Sequence, residues 1–328
     1  MPLPELDLIE RLRRQAGSAP GPVRTGIGDD CAVLRGSAGK DWLVTTDLTV
    51  EGVHFRRDWH PARAVGHRCL ARGLSDIAAM GGEPAAAFLS LALPRRTPQQ
   101  WVDEFMEGYL ALARRTGVTL AGGDIAESKA GIVADTMVVG TVPRGQAILR
   151  SGSKPGDQIY VSGRLGGAAA AVAELRSKNK RTRAQLPHKQ KRLVWGTQAY
   201  FFPEPRLALG NWLGRRHLAS SMIDLSDGLS SDLAHICDES RVGAVVYEDA
   251  IPMADRGVAA LKFALHGGED YELLFTSPAK AKIPSAIGGV KIARIGEIVR
   301  SSGMWLVGSD GRRRPLRPLG WQHFGRNR

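Results

Sequence analysis

The stretch TPQQWVDEFMEGYLALARRTGVTLAGGD, residues 97–124, decides the fold class, because it reads as a helix that turns directly into a strand. Trp101, Phe105, Tyr109 and Leu112 recur at three- and four-residue steps, which predicts a helix over 98–116 with one apolar face. Thr97 is expected to cap it, Pro98 suits its first position, and Gln100 would complete a capping box. Gly117 ends the helix. Val118-Thr119-Leu120-Ala121 then reads as a strand running into Gly122-Gly123-Asp124.

The same alternation continues outward in both directions. Strands are expected at 42–46, 87–93, 132–142, 159–162, 222–223, 271–276, 291–299 and 304–307. Helices are expected at 5–16, 62–80, in the alanine-rich run after Gly167, and from about Gly228. Gly152, Pro155 and Gly156 break the pattern and place a domain boundary near 146–156. The expected architecture is therefore two α/β (α+β) domains, residues 1–148 and 149–328.

Composition narrows the function classes. Hydrophobic residues make up 43% and charged residues 24%, the balance of a packed globular protein. No run approaches 18 apolar residues, so no membrane-spanning helix is expected. The opening residues lack the basic-then-apolar order of a secretory signal, and Cys31, Cys69 and Cys237 form no C-x-x-C pair; the expected compartment is the cytoplasm. The net charge of +12 would suggest nucleic acid, but it is concentrated. Residues 176–192 hold eight Lys/Arg and 312–328 hold six, with no acid in either; without those 14 charges the rest carries −2. Such runs read as solvated loops or tails, so nucleic-acid binding is not the expected role.

Five acidic sites lie next to glycine or at expected strand ends: Gly28-Asp29-Asp30, Thr45-Thr46-Asp47, Ser75-Asp76, Gly123-Asp124 and Asp224-Leu225-Ser226-Asp227-Gly228. Any one of them is ordinary turn or cap chemistry. Five that converged would repel one another unless cations neutralised them. Hard oxygen donors of this type suit Mg²⁺ shared with phosphate oxygens, and the hydroxyls of Thr45 and Thr46 would add neutral ligands. The expected chemistry is metal-assisted phosphoryl transfer from ATP. The common nucleotide motifs are absent: Gly39-Lys40 is followed by Asp41, and Cys31 stands where a dinucleotide fingerprint needs its third glycine.

In order along the chain, GIGDDCAVL (26–34), TTDLTVEGVHF (45–55), LARGLSDIAAMGGEP (70–84), AGGDIAES (121–128), IDLSDGLSSDL (223–233), HGGEDYELLFT (266–276) and GWQHF (320–324) resemble the thiamine-monophosphate kinase family. That family sits within the superfamily of aminoimidazole ribonucleotide synthetase. The resemblance implies in-line transfer of the ATP γ-phosphoryl group to thiamine monophosphate, giving thiamine diphosphate and ADP. It implies a homodimer in which the N-terminal domains, which bind ATP and metal, pair their sheets into a barrel. By position it puts Mg²⁺ at Asp30, Thr45, Thr46, Asp47, Asp76, Asp124, Asp224 and Asp227, with Asp47, Asp76, Asp124 and Asp224 as the catalytic carboxylates. ATP contacts fall at Tyr109, Gly123, Asp124, Arg150 and Ser226. Contacts to thiamine monophosphate fall at His54, Glu269 and Trp321.

Two departures from the family pattern stand out. Cys31 replaces a small residue after the paired aspartates and should be buried. The basic insertion at 176–192 is longer than the family's connection there, and residues 178–191 should be dispensable for catalysis. Two alternatives remain open: a sister enzyme with the same aspartates and a different acceptor, and a nucleic-acid-binding protein that uses the basic segments.

Overall fold

The computed structural model describes residues 3–16, 21–181 and 195–324. Of the basic insertion, residues 182–192 lie outside this range. The first half runs α1 (Glu5–Ala16), β1 (Val23–Thr25), β2 (Ala32–Arg35), β3 (Lys40–Val50), α2 (Ala62–Ala79), β4 (Glu83–Pro94), α3 (Gln99–Thr116), β5 (Thr119–Ser128) and β6 (Val133–Pro143). Its six strands form one sheet in the order β1-β2-β3-β6-β4-β5, antiparallel except for the parallel β4–β5 pair. The apolar positions of α2 and α3 pack with the inward side chains of this sheet into one core, around Leu43, Leu70, Leu74, Phe105, Leu112 and Val138.

The second half runs β7 (Gln158–Ser162), α4 (Gly167–Arg181), α5 (Trp195–Phe201), α6 (Leu207–Arg215), β8 (Ser221–Asp224), α7 (Leu229–Ser240), β9 (Gly243–Tyr247), α8 (Ala260–His266), β10 (Leu273–Ser277), β11 (Ala286–Ile287), β12 (Val290–Val299), β13 (Met304–Val307) and β14 (Arg313–Pro315). Its sheet has the order β14-β13-β9-β12-β7-β10-β8, with β11 on β12. A second core forms around Ile159, Leu233, Val246, Leu274 and Ile295. A third apolar cluster joins the halves, with Ala78 and Ala79 of α2 against Leu209, Leu213, Met222 and Phe275.

Several expected boundaries move. Asp47 lies inside β3 and Gly123-Asp124 lie inside β5, because both strands are longer than their apolar runs. Ladder pairing, and not hydrophobicity, extends them. Asp76 is on a helix and not at a strand end. At α3 the capping box does not form: Pro98 is the N-cap, no side chain caps the helix, and Gln100 Nε2 donates to Glu104 Oε1 at 2.9 Å. Gly117 does end α3, in a left-handed conformation with φ 72°. The amphipathic α1 forms but buries no residue; Leu6, Ile9 and Leu12 stay exposed. Its attachments are polar, Glu5 to the backbone of His323 and Arg13 to Glu239.

α2 and α3 cross at backbone contact. A Cβ on Gly66 would sit 1.9 Å from the Phe105 carbonyl oxygen, and one on Gly108 would sit 1.9 Å from that of Arg63. Gly108→Ala should therefore destabilise the protein by about 1–3 kcal/mol or more through overpacking. Gly21→Ala, with nothing within 4 Å, should leave the melting temperature unchanged. Equal melting curves for the two variants would refute the tight crossing.

Candidate active site

The site lies where the two sheets meet across α2. β8, buried along its whole length, ends at Asp224. The turn before β2 supplies Asp29 and Asp30, β3 supplies Thr45 and Asp47, and α2 supplies Asp76. Carboxylate oxygens of Asp30, Asp76 and Asp224 come within 4.8 Å of one another. Thr45 Oγ1 donates to Asp76 Oδ2 at 2.5 Å. Arg150 Nη2 donates to Asp30 Oδ1 at 2.7 Å, and the Arg150 N–H donates to Asp29 at 3.2 Å. Asp30 Oδ2 is buried with no hydrogen-bond partner among the described residues. Cys31 is buried beside them, as expected of a small side chain.

Charge is costly here. Burial, then Asp47, Asp224 and Asp30, push the Asp76 carboxyl well above the usual carboxylate range. Burial and then Asp30 push Asp224 up to about 8. Burial raises Asp30 as well, although Arg150 opposes the shift. Asp227 is pushed up to about 7 by burial and then by Glu5. It belongs to a second group, Asp227, Asp232 and His235, whose ligand atoms also lie within 4.8 Å. Asp232 Oδ2 accepts the N–H groups of Asp227 and Gly228 at 3.2 and 2.9 Å, which holds the loop before α7 in place.

The residues expected to contact the acceptor also gather. His54 Nδ1 accepts the Val50 N–H at 2.9 Å, which leaves the ring proton on Nε2. Burial, then Arg72, lower the His54 pKa to about 3, so the ring is neutral. The Glu269 N–H donates to the Ser226 carbonyl at 2.8 Å, and the Trp321 N–H donates to that of Asp227 at 3.1 Å. The tail can lie this close because Gly320 has no Cβ; one there would stand 2.3 Å from the Asp227 oxygen. His323 makes edge contacts with both His54 and Trp321, at 5.4 and 5.8 Å between centroids.

Three sets of expected residues stand apart from the cluster within one chain. Thr46 alternates to the face of β3 opposite Thr45 and Asp47, so its hydroxyl does not join the cluster. Gly123 is three strands from Asp47 in one ladder row, through Thr136 and Leu89. Three spacings of about 4.8 Å put it and Asp124 about 14 Å away within one chain. Asp124 instead shares a shallow depression with Ser90 and Asp135. Tyr109 is fully buried in the first core, because its position on α3 faces α2, so it lines no open nucleotide pocket.

The sequence reading also missed residues. Arg68 and Arg72 precede Asp76 at four-residue steps, so one stripe of α2 carries all three. Arg68 is 3% exposed, pairs with Glu269 Oε1 at 2.5 Å, and donates to the Tyr200 carbonyl. Arg72 pairs with Asp47 at 3.0 Å. Their spacing was visible within the helix expected over 62–80. Asp232 binds N–H groups only four and five residues before it, but a lone aspartate in the first turn of a helix reads as ordinary; His323 left no signal, since its partners His54 and Glu5 are far away in the chain.

Comparison with known proteins agrees with the fold. Residues 28–142 match the family model of AIR synthase related protein, N-terminal domain, and residues 154–307 match that of the C-terminal domain. The thiamine-monophosphate kinase of Salmonella typhimurium is 39% identical over 305 residues, covering 90% of each chain. The solved structure of AaThiL complexed with AMPPCP and TMP superposes with a TM-score of 0.84 at 29% identity, covering 99% of both chains. The thiamine-monophosphate kinase structure from Stenotrophomonas maltophilia K279a gives a TM-score of 0.73 at 34% identity, covering 94% of this chain and 97% of that one.

A raised carboxylate pKa means that the folded chain binds protons more tightly than the unfolded one. The stability contributed by Asp224 is therefore present at low pH and lost as pH rises through about 8. In chelator, the melting temperature should fall between about pH 5 and about pH 8.5, and Asp224→Asn should flatten that fall. Identical pH profiles for parent and variant would contradict the described packing.

Proposed function

The chain belongs to the thiamine-monophosphate kinase family of AIR synthase-related proteins, and we propose that its buried carboxylates carry out the family's phosphoryl transfer with magnesium. It phosphorylates thiamine monophosphate at the expense of ATP. The observation that carries the magnesium reading is the approach of Asp30, Asp76 and Asp224 to within 4.8 Å. The donor set fits that ion: the carboxylates are hard oxygen donors, the Thr45 hydroxyl lies beside Asp76, and Asp30 Oδ2 has no other partner. Asp30, Thr45, Asp47, Asp76 and Asp224 would hold it, and Asp227, in its group with Asp232 and His235, would hold a further one. Bound there, the ion supplies neutralisation of the phosphate charge that the transfer develops.

The chain's own groups supply positioning. Arg150, beside Asp30, and Ser226 would contact the nucleotide, where a guanidinium suits phosphate oxygens. His54 presents a neutral Nε2–H donor, and Glu269, held by Arg68, presents a carboxylate to the aminopyrimidine of the acceptor. Trp321, 54% exposed, offers an indole face to the thiazolium. An acceptor phosphate oxygen then attacks the γ-phosphorus in line as its bond to the leaving ADP breaks.

The edge strand β5 supports the pairing of two N-terminal sheets. Almost all of it is exposed, and Ile125 is 78% exposed, which an isolated sheet edge seldom shows. Such a homodimer would bring Gly123 and Asp124 to a nucleotide that one chain alone does not let them reach. The division near residue 148 and a cytoplasmic location belong to the same reading. Among the described residues, no helix is long and apolar enough to cross a membrane.

Asp47→Asn should abolish ADP release in a coupled assay while the melting curve survives; near-parent turnover at moderate Mg²⁺ would rule out its role. Trp321→Ala should raise the KM for thiamine monophosphate about ten-fold, equivalent to about 1.4 kcal/mol of lost stacking, with the KM for ATP unchanged. If Trp321 only packs the tail, the melting temperature falls and both constants stay. The same assay with thiamine or other phosphate monoesters as acceptor separates this enzyme from a sister with a different acceptor.

A further inference from the structure

Of the three charged residues on the α2 stripe, two have settled roles. Asp76 belongs to the carboxylate cluster, and Arg68 is fully engaged by Glu269 and the Tyr200 carbonyl. Arg72 differs. Its Nη2 lies 3.0 Å from Asp47 Oδ1, and its side chain is 15% exposed. Its Nε and Nη1 are buried and have no hydrogen-bond partner among the described residues. Buried donors without partners are costly and rare, and in a native site they mark a group held ready for something else. Burial works to neutralise Arg72, but Tyr271, Asp47 and Glu269 outweigh it, so the guanidinium keeps its charge.

Its position shows what it is ready for. Arg72 stands one helical turn from Asp76, in contact with Asp47 on the metal side. On the other side, Arg68 stands one turn before it on the same stripe and pairs with Glu269, which puts Arg72 next to the acceptor-side carboxylate. In the reading above, the acceptor's phosphate lies between those two sides. A planar guanidinium is the side chain best matched to two oxygens of one phosphate.

We propose that Arg72 is a binding residue for the phosphate monoester of the acceptor, exchanging its contact with Asp47 for the oxygens of that phosphate. The proposal rests on the reading above, in which the acceptor lies between the carboxylates and the His54–Glu269 side. It adds a residue that selects for the phosphate group itself, separate from the contacts to the ring system. The ion pair with Asp47 then keeps the guanidinium in place until the acceptor arrives.

The test compares parent, Arg72→Gln and Arg72→Lys. Binding of inorganic phosphate, thiamine monophosphate and unphosphorylated thiamine is measured by calorimetry without nucleotide, alongside steady-state kinetics. Arg72→Gln should weaken phosphate and thiamine monophosphate about ten-fold or more, and leave thiamine and the KM for ATP within about two-fold. Arg72→Lys, which keeps the charge but loses the planar fork, should fall between the two. If Arg72→Gln melts early, Arg72→Lys decides alone, and parent-like phosphate affinity in it overturns the proposal. Equal weakening of thiamine and thiamine monophosphate also overturns it, because Arg72 would then only shape the pocket. A parent enzyme that binds phosphate through Arg72 but does not turn over thiamine monophosphate would instead overturn the acceptor assignment.

Discussion

Repulsion among Asp30, Asp76 and Asp224, held within 4.8 Å in a largely buried junction, is the constraint that the rest of the structure accommodates. Their charged forms lose solvation and face one another, and the described residues offset this only in part. Arg150 neutralises Asp30 from one side, and the Thr45 hydroxyl serves Asp76. An arrangement of this kind is stable as a protein but unfinished as an electrostatic set, and the magnesium ion proposed above would complete it. Phosphoryl transfer needs the same cation for its own charge, so the instability and the function share one remedy.

Holding such a cluster falls chiefly to α2. The helix is buried along nearly its whole length, yet one stripe carries Arg68, Arg72 and Asp76. It can be this buried because glycines let it meet α3 at backbone distance, and because alanines at its C-terminal end pack on α6 and β8. Both sheets therefore index their functional residues to one rigid element. The tail is positioned in the same way: Gly320 and Trp321 lie on the Asp227 loop, and Glu5 of α1 binds the backbone of His323. Acceptor-side and metal-side residues are thus fixed to a shared backbone before any ligand enters, which lowers the ordering cost of binding.

Much of this was legible in the residues. The helix over 98–116 was readable because its aromatic spacing has one interpretation, and Asp224 closes its strand as its sequence suggests. Where the reading erred, it relied on hydrophobicity to end a strand. Asp47 and Asp124 sit within β3 and β5 because neighbouring strands supply ladder hydrogen bonds that no local run of side chains reveals. Thr46 was misplaced for a related reason: once Thr45 faces the cluster, a period of two turns its neighbour away. Tyr109 was placed at the nucleotide by family position, although the helical period already set it beside Phe105 and Leu112 on the buried face.

By itself the sequence determined the α/β class, the set of acidic segments beside glycine and the family, because periodicity and ordered motifs are properties of neighbouring residues. Only the tertiary structure decided which acids meet. Asp30 and Asp76 come from a turn and a helix of the first half and Asp224 from a strand of the second, and Asp124 stays three strands from Asp47. It also decided that Arg72 carries two buried nitrogens without partners. Such contacts arise from packing between segments far apart in the chain, and the electrostatic cost of a group depends on that surrounding matter and not on its sequence neighbours.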